Sequence, residues 1–155
     1  MKFYKTSVLL TISGLLLLIF QSCGLEGDGA YTKDGTPLPD NLSKIYIEAT
    51  TTEVREDDTT ISITIYNRTA SDIKGWTLSF DAVFSVLDIW NAILSNSTGG
   101  SLVITNEPWT DDIPAGGSLA FSLRCPGVLG SDSIQNCIVN DIPADIIIDG
   151  TVHQD

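Results

Sequence analysis

Between residues 75 and 123 apolar and polar residues alternate with a period of two, and turns rich in Gly, Pro, Asn and Asp interrupt the alternation. That pattern constrains the fold more than any other feature of the chain. A period of two places one apolar face on a pleated strand and cannot form a single stripe on a helix. All three tryptophans lie in this stretch, in different phases of the pattern. Trp76 shares parity with Leu78 and Phe80 and is expected to point inward. Around Leu87, Asp88, Ile89 and Trp90 the parity reverses, so Trp90 falls on the same side as Asp88. Trp109 sits in Glu107-Pro108-Trp109-Thr110-Asp111-Asp112, which has no alternation to bury it. One indole is therefore predicted in the core and two at the surface.

Similar punctuation runs through the flanking sequence. Ile45 and Ile47 start a first strand, Glu56, Asp57 and Asp58 mark a turn, and Ile61, Ile63 and Ile65 alternate with Ser62, Thr64 and Tyr66 in a second. Residues 67–75 read as a polar connection, Leu102 and Ile104 as another strand, and residues 113–117 as a turn into Leu119, Phe121 and Leu123. Ile146, Ile147 and Ile148 are expected to carry a final strand ending at Asp149-Gly150. Short strands at about 8–12-residue spacing, without a helical pattern, predict an all-β fold. The expected architecture is a single antiparallel β-sandwich of immunoglobulin-like or jelly-roll-like type over residues 43–155.

The start of the chain reads differently. Lys2 and Lys5 precede an apolar run from Val8 to Phe20. That run is shorter than the roughly 20 residues of a membrane span, so residues 1–22 are expected to be an export signal. Ser22-Cys23-Gly24 resembles a bacterial lipoprotein processing site, with Cys23 as the lipidated residue. An ordinary secretory signal with a free Cys23 is the alternative. Residues 23–42 carry Gly35, Pro37 and Pro39 without periodicity and read as a flexible tether. The implied location is the outer membrane or surface of a bacterium. Of the remaining cysteines, Cys125 and Cys137 form the one pair in the exported domain. In an oxidising compartment they are expected to form a disulfide, worth about 3 kcal/mol.

The formal charge is −12 over 155 residues, and loss of Lys2 and Lys5 with the leader moves it to −14. Such acidity disfavours nucleic acid, anionic membranes and anionic polysaccharides as partners, and leaves neutral glycans open. With two sulfurs and one histidine in the domain, a structural zinc site is not expected, and no cofactor is implied.

An exposed indole forgoes about 1.5–3 kcal/mol of burial, so two of them ask for a ligand. Flat apolar rings on a rigid frame suit the flat apolar faces of sugars. Gly75-Trp76-Thr77-Leu78, Ile89-Trp90-Asn91-Ala92, Asn106-Glu107-Pro108-Trp109 and Ile113-Pro114-Ala115-Gly116-Gly117-Ser118 together resemble a family 2 carbohydrate-binding module. That family includes cellulose- and xylan-binding domains of bacterial plant-wall hydrolases, and the likeness extends more weakly over residues 43–152. The resemblance implies sugar stacking on Trp90 and Trp109, to which Asn91, Asn106 and Thr110 would add hydrogen bonds. Members usually display a third aromatic residue just before the second strand, where Arg55 stands here. Arg55 could stack on a sugar or be simply solvated. Asp58, three residues on, occupies the place that sets the tilt of that missing ring. A bridge between the two ends of the domain, common in members, has no counterpart in the Cys125–Cys137 pair.

Paired carboxylates at Asp57-Asp58 and Asp111-Asp112 raise the alternative of glycoside hydrolysis. Neighbours on a strand or turn point apart, so solvated turn carboxylates are expected, with a loop Ca²⁺ site as a lesser alternative. The Asn67-Arg68-Thr69 and Asn96-Ser97-Thr98 sequons are read as coincidental. The expectation is a monomeric, non-catalytic, membrane-tethered module holding a neutral, β-linked polysaccharide. The rival is a structural or adhesive surface domain that keeps the fold without binding sugar.

Overall fold

Ile45, Ile47 and Ala49 alternate into the core from β1 (Ile45–Val54), and Ile61, Ile63 and Ile65 do so from β2 (Asp58–Asn67), with which it forms an antiparallel hairpin. The computed structural model describes residues 41–153. After this hairpin come β3 (Ile73–Lys74), β4 (Thr77–Ala82), β5 (Asp88–Trp90), β6 (Ala92–Thr98), β7 (Ser101–Asn106), β8 (Asp112–Ile113) and β9 (Ser118–Pro126). The chain ends with β10 (Ile134–Val139), β11 (Ile142–Pro143), β12 (Asp145–Ile148) and β13 (Thr151–His153). One sheet has the order β13-β12-β1-β2-β9-β5, the second β11-β10-β4-β7-β6, and β3 pairs with β8. Among the described residues every regular element is a strand, as the period of two requires.

One core lies between the sheets. Ile47, Ile63, Phe121, Leu123 and Ile146 enter it from the six-stranded sheet, and Leu78, Phe80, Leu102, Ile104 and Val139 from the five-stranded sheet. The sheets are antiparallel apart from β1 and β12, which run parallel with Ile47 opposite Ile146. The Ile146-Ile147-Ile148 run departs from alternation because β12 is covered on both faces. Ile146 and Ile148 face the main core, while Ile147 joins Leu42 and Tyr46 in a second cluster, with Tyr66 and Val152 packed against it. Tyr46 and Tyr66 stack at 4.5 Å with planes 5° apart, and the Arg68 guanidinium lies 4.9 Å from the Tyr46 ring centre. Burial and the hydrogen bond to Glu48 push the Tyr66 phenol well above its ordinary range. Ordered packing thus includes Leu42, one residue before the expected start of the domain.

Several expectations need correction. Residues 67–75 are more than a polar connection. Asn67 is fully buried, and its amide donates to the carbonyls of Ser71 (2.8 Å), Ile113 (3.1 Å) and Pro114 (3.1 Å). Its Oδ1 accepts from Thr69 N at 3.0 Å and Thr69 Oγ1 at 2.6 Å. A side chain so enclosed is not a glycan acceptor in the folded domain. Asn67→Ala should cost about 1–3 kcal/mol, because the carbonyls it serves lose their donor in the interior. Urea denaturation measures this; a change within experimental error would show water taking over the role.

The Cys125–Cys137 disulfide is not formed. Cys125 lies on β9 in one sheet and Cys137 on β10 in the other, and both side chains are buried in the core. A bridge needs Cα atoms within about 7 Å and Cβ atoms aimed at each other, which strands of facing sheets offer only at particular register positions. Burial raises the Cys125 thiol above its ordinary pKa, which keeps it protonated. The 126–145 segment holds two further strands, β10 and β11, where only a cysteine loop was expected. The export signal over 1–22, the lipidation at Cys23 and nearly all of the 23–42 tether lie outside the described residues.

Candidate functional site

Trp76 precedes β4, following Gly75, whose φ of 59° turns the chain into the strand. Its indole is fully buried and stacks on Phe121 with centroids 5.6 Å apart and planes 17° apart. The indole N–H donates to the Thr110 carbonyl at 2.6 Å, satisfying the one polar group of a buried tryptophan. This core residue therefore grips the loop that carries Trp109.

The four residues Glu107, Pro108, Trp109 and Thr110 form a turn closed by Thr110 N donating to Glu107 O at 2.9 Å. Pro108 fixes its own φ, which suits the second position of such a turn. Thr110 Oγ1 accepts from Glu107 N at 3.0 Å and lies 3.3 Å from the carbonyls of both Asn91 and Glu107. Trp109 is held at the apex with 72% of its surface exposed. Thr110→Val keeps the shape and deletes the hydroxyl, leaving Glu107 N–H without its acceptor. The expected loss is about 0.5–1.5 kcal/mol, with faster amide exchange confined to residues 107–110. Hydrogen exchange read by NMR checks this, and unchanged protection there would show that Pro108, the Thr110 N to Glu107 O bond and the Trp76 indole hold the turn without the hydroxyl.

Trp90 ends β5, the edge strand next to β9, and pairs with Ser122. Ile89 packs against the core, so alternation turns Asp88 and Trp90 to the outer face, where the indole is 46% exposed. Asn91, with φ of 63°, is the corner at which the chain leaves the six-stranded sheet for β6 of the other. The Asn91 carbonyl faces Thr110 Oγ1, and Ala92 pairs with Asn106. The two segments bearing exposed tryptophans are thus joined at one corner of the sandwich.

The polar residues expected around the rings are partly committed to this scaffold. Asn106 N donates to Trp76 O and its Nδ2 to Glu107 O, both at 3.2 Å. Thr110 is occupied as described. Asn91 is exposed, and its backbone carbonyl serves the corner. Arg55 lies in the β1–β2 turn, where Nε and Nη2 donate to the two carboxylate oxygens of Glu53 at 3.0 and 2.9 Å. That pairing raises its pKa and directs the guanidinium along its own hairpin.

Sequence reading missed Arg124. On the outer face of β9, its Nε and Nη2 donate to Asp88 Oδ2, the former at 3.0 Å, and Nη1 donates to Asp58 Oδ2 at 2.9 Å. The hydrogen bond to Asp88, followed by that to Asp58, raises the guanidinium pKa. The signal was slight: a lone Arg before Cys125, with its partners 36 and 66 residues distant. Asp58 therefore holds an arginine and not a ring. Among the described residues no cluster of three or more His, Cys, Asp or Glu is placed to hold a metal ion. Asp57-Asp58 and Asp111-Asp112 do not assemble into facing carboxylates across a cleft; Asp58 and Asp112 are paired with Arg124 and Lys74.

Fold and site together define a β-sandwich module that displays two aromatic side chains from one braced corner. The profile of the family described as "Cellulose binding domain" matches residues 48–142, and the chain belongs to that family. Endoglucanase A of Thermobispora bispora is 36% identical over 75 residues, 47% of this chain and 15% of the endoglucanase. Chitinase ChiA74 from Bacillus thuringiensis superposes with a TM-score of 0.55 and 26% identity, over 72% of this chain and 18% of that one. The chitin-binding domain of Chi18aC from Streptomyces coelicolor shares the fold at a TM-score of 0.52 and 24% identity, over 70% and 97% of the respective chains. The chain thus spans less than a fifth of the endoglucanase and of the chitinase.

Proposed function

We propose that the domain binds a neutral, β-linked polysaccharide without cleaving it, sugar rings lying flat on Trp90 and Trp109. The observation that carries this reading is the pair of exposed indoles braced at one corner through Asn91 and Thr110. Family membership supports it, as do relatives named as an endoglucanase, a chitinase and a chitin-binding domain. The acidic surface favours a neutral polymer over an anionic one. Lipidation at Cys23, a tether over residues 23–42 and display as a monomer on the outer membrane or cell surface complete the proposal.

Sedimentation with insoluble cellulose, xylan and chitin tests it, comparing wild type with Trp90→Ala and Trp109→Ala. Retention by at least one polymer that both variants weaken is the expected result. Retention untouched in both would remove the sugar-stacking idea, and release of reducing sugar would make the protein an enzyme. The rival, a structural or adhesive surface domain, draws on Arg55: the place of a third ring holds a guanidinium already paired with Glu53. No retention on any polymer favours the rival.

A further inference from the structure

We propose that Arg124 is a positioning residue for Trp90, acting through Asp88 and Asp58; its bearing on affinity rests on the polysaccharide reading above. The strand that carries Trp90 is weakly held by itself. β5 has three residues and only one neighbour in its sheet, β9. Its indole is packed on one side only and nearly half exposed. Three residues of ladder plus one half-buried isoleucine leave an edge segment free to fray or twist about β9.

Arg124 supplies the missing restraint twice. Its carbonyl accepts from Leu87 N at 2.7 Å, pinning the backbone at the start of β5. Its guanidinium grips Asp88, two residues before Trp90 and on the same face of the strand. The remaining arm reaches Asp58 at 2.9 Å, so β2, β9 and β5 are laced side by side across the outer face. The register fits this lacing: Thr60, Arg124 and Asp88 form one rung, and Ser62, Ser122 and Trp90 the next rung on the same face. A planar guanidinium fixed at both ends sets direction as well as distance. The Arg124 and Asp58 side chains are 28% and 16% exposed, so salt screens their pair less than an open surface pair. Asp58 Oδ1 is buried without a hydrogen-bond partner, a cost carried while the other oxygen holds Arg124. Tilt of the Trp90 plane thereby depends on Arg124 and its two carboxylate partners.

The test uses protein labelled with 5-fluorotryptophan, whose three indole signals are assigned by single Trp→Phe variants. In Arg124→Gln the Trp90 fluorine signal is expected to shift or broaden, while those of Trp76 and Trp109 stay in place. Affinity for cellohexaose or chitohexaose, whichever wild type binds, should fall about three- to tenfold by calorimetry, with Arg124→Lys recovering part of it. Asp88→Asn should reproduce both effects and serves as the second variant if Arg124→Gln fails to fold. An unmoved Trp90 signal in a folded variant overturns the positioning role whether or not wild type binds sugar. If wild type binds neither oligosaccharide but the Trp90 signal moves, the function reading fails and the positioning role stands.

Discussion

Trp76→Ala is expected to destabilise the domain by about 3–5 kcal/mol, the range for deleting a large buried aromatic side chain. Two losses combine. The cavity left between the sheets removes the stacking on Phe121, and the Thr110 carbonyl loses the indole N–H that reaches it at 2.6 Å. A domain of this size has a total stability of about 5–15 kcal/mol, so the loss removes a fifth or more of the total and, at the lower end of that range, nearly all of it. Urea or guanidinium titration followed by circular dichroism measures the effect. Trp76→Phe separates the contributions: it fills most of the volume and forgoes the hydrogen bond, so about 1–2 kcal/mol should be lost. A loss below about 1 kcal/mol in the alanine variant would mean that the core closes over the gap. Because the same indole anchors residue 110, amide protection at residues 107–110 should fall in both variants.

Replacing both exposed rings, Trp90→Ala with Trp109→Ala, should leave stability nearly unchanged and remove most polysaccharide binding. If a sugar covers half of each ring, each contributes about 1–1.5 kcal/mol, and the pair about 2–3 kcal/mol, a 30- to 150-fold loss. Rings that meet different sugar units should add to within about 0.5 kcal/mol. Their sum also falls short of the roughly 8 kcal/mol of a micromolar complex, so one domain binds weakly. Many copies displayed on one surface would compensate through avidity. Depletion isotherms on the insoluble polymer give both numbers. A double variant that binds as wild type does would relocate the binding face altogether.

Much of this was legible in the residues. The isoleucines of β2 and the Trp76-Leu78-Phe80 parity report a period of two, and burial on one face enforces that period wherever the other face meets water. The reversed parity at Trp90 and the missing parity at Trp109 likewise translate directly into exposure. Where the rule failed, a second surface intervened. Ile146-Ile147-Ile148 violates alternation because Leu42 and Tyr46 cover the outer face of β12. Asn67 read as part of a polar connection because its partners at 113 and 114 are distant in sequence. The cysteine pair suggested a bridge, since twelve-residue spacing says nothing about which sheet each thiol enters.

Local chemistry, therefore, determined the strand composition, the inward Trp76 and the two outward indoles, since each depends on nearest neighbours along the chain. Only the tertiary structure decided that Asn91 and Thr110 join the two aromatic segments, that Cys125 and Cys137 belong to different sheets, and that Arg124 spans from Asp58 to Asp88. Those relations depend on sheet order and register, which follow from how the strands of the two large sheets pack over a common core. No short stretch of sequence contains that information.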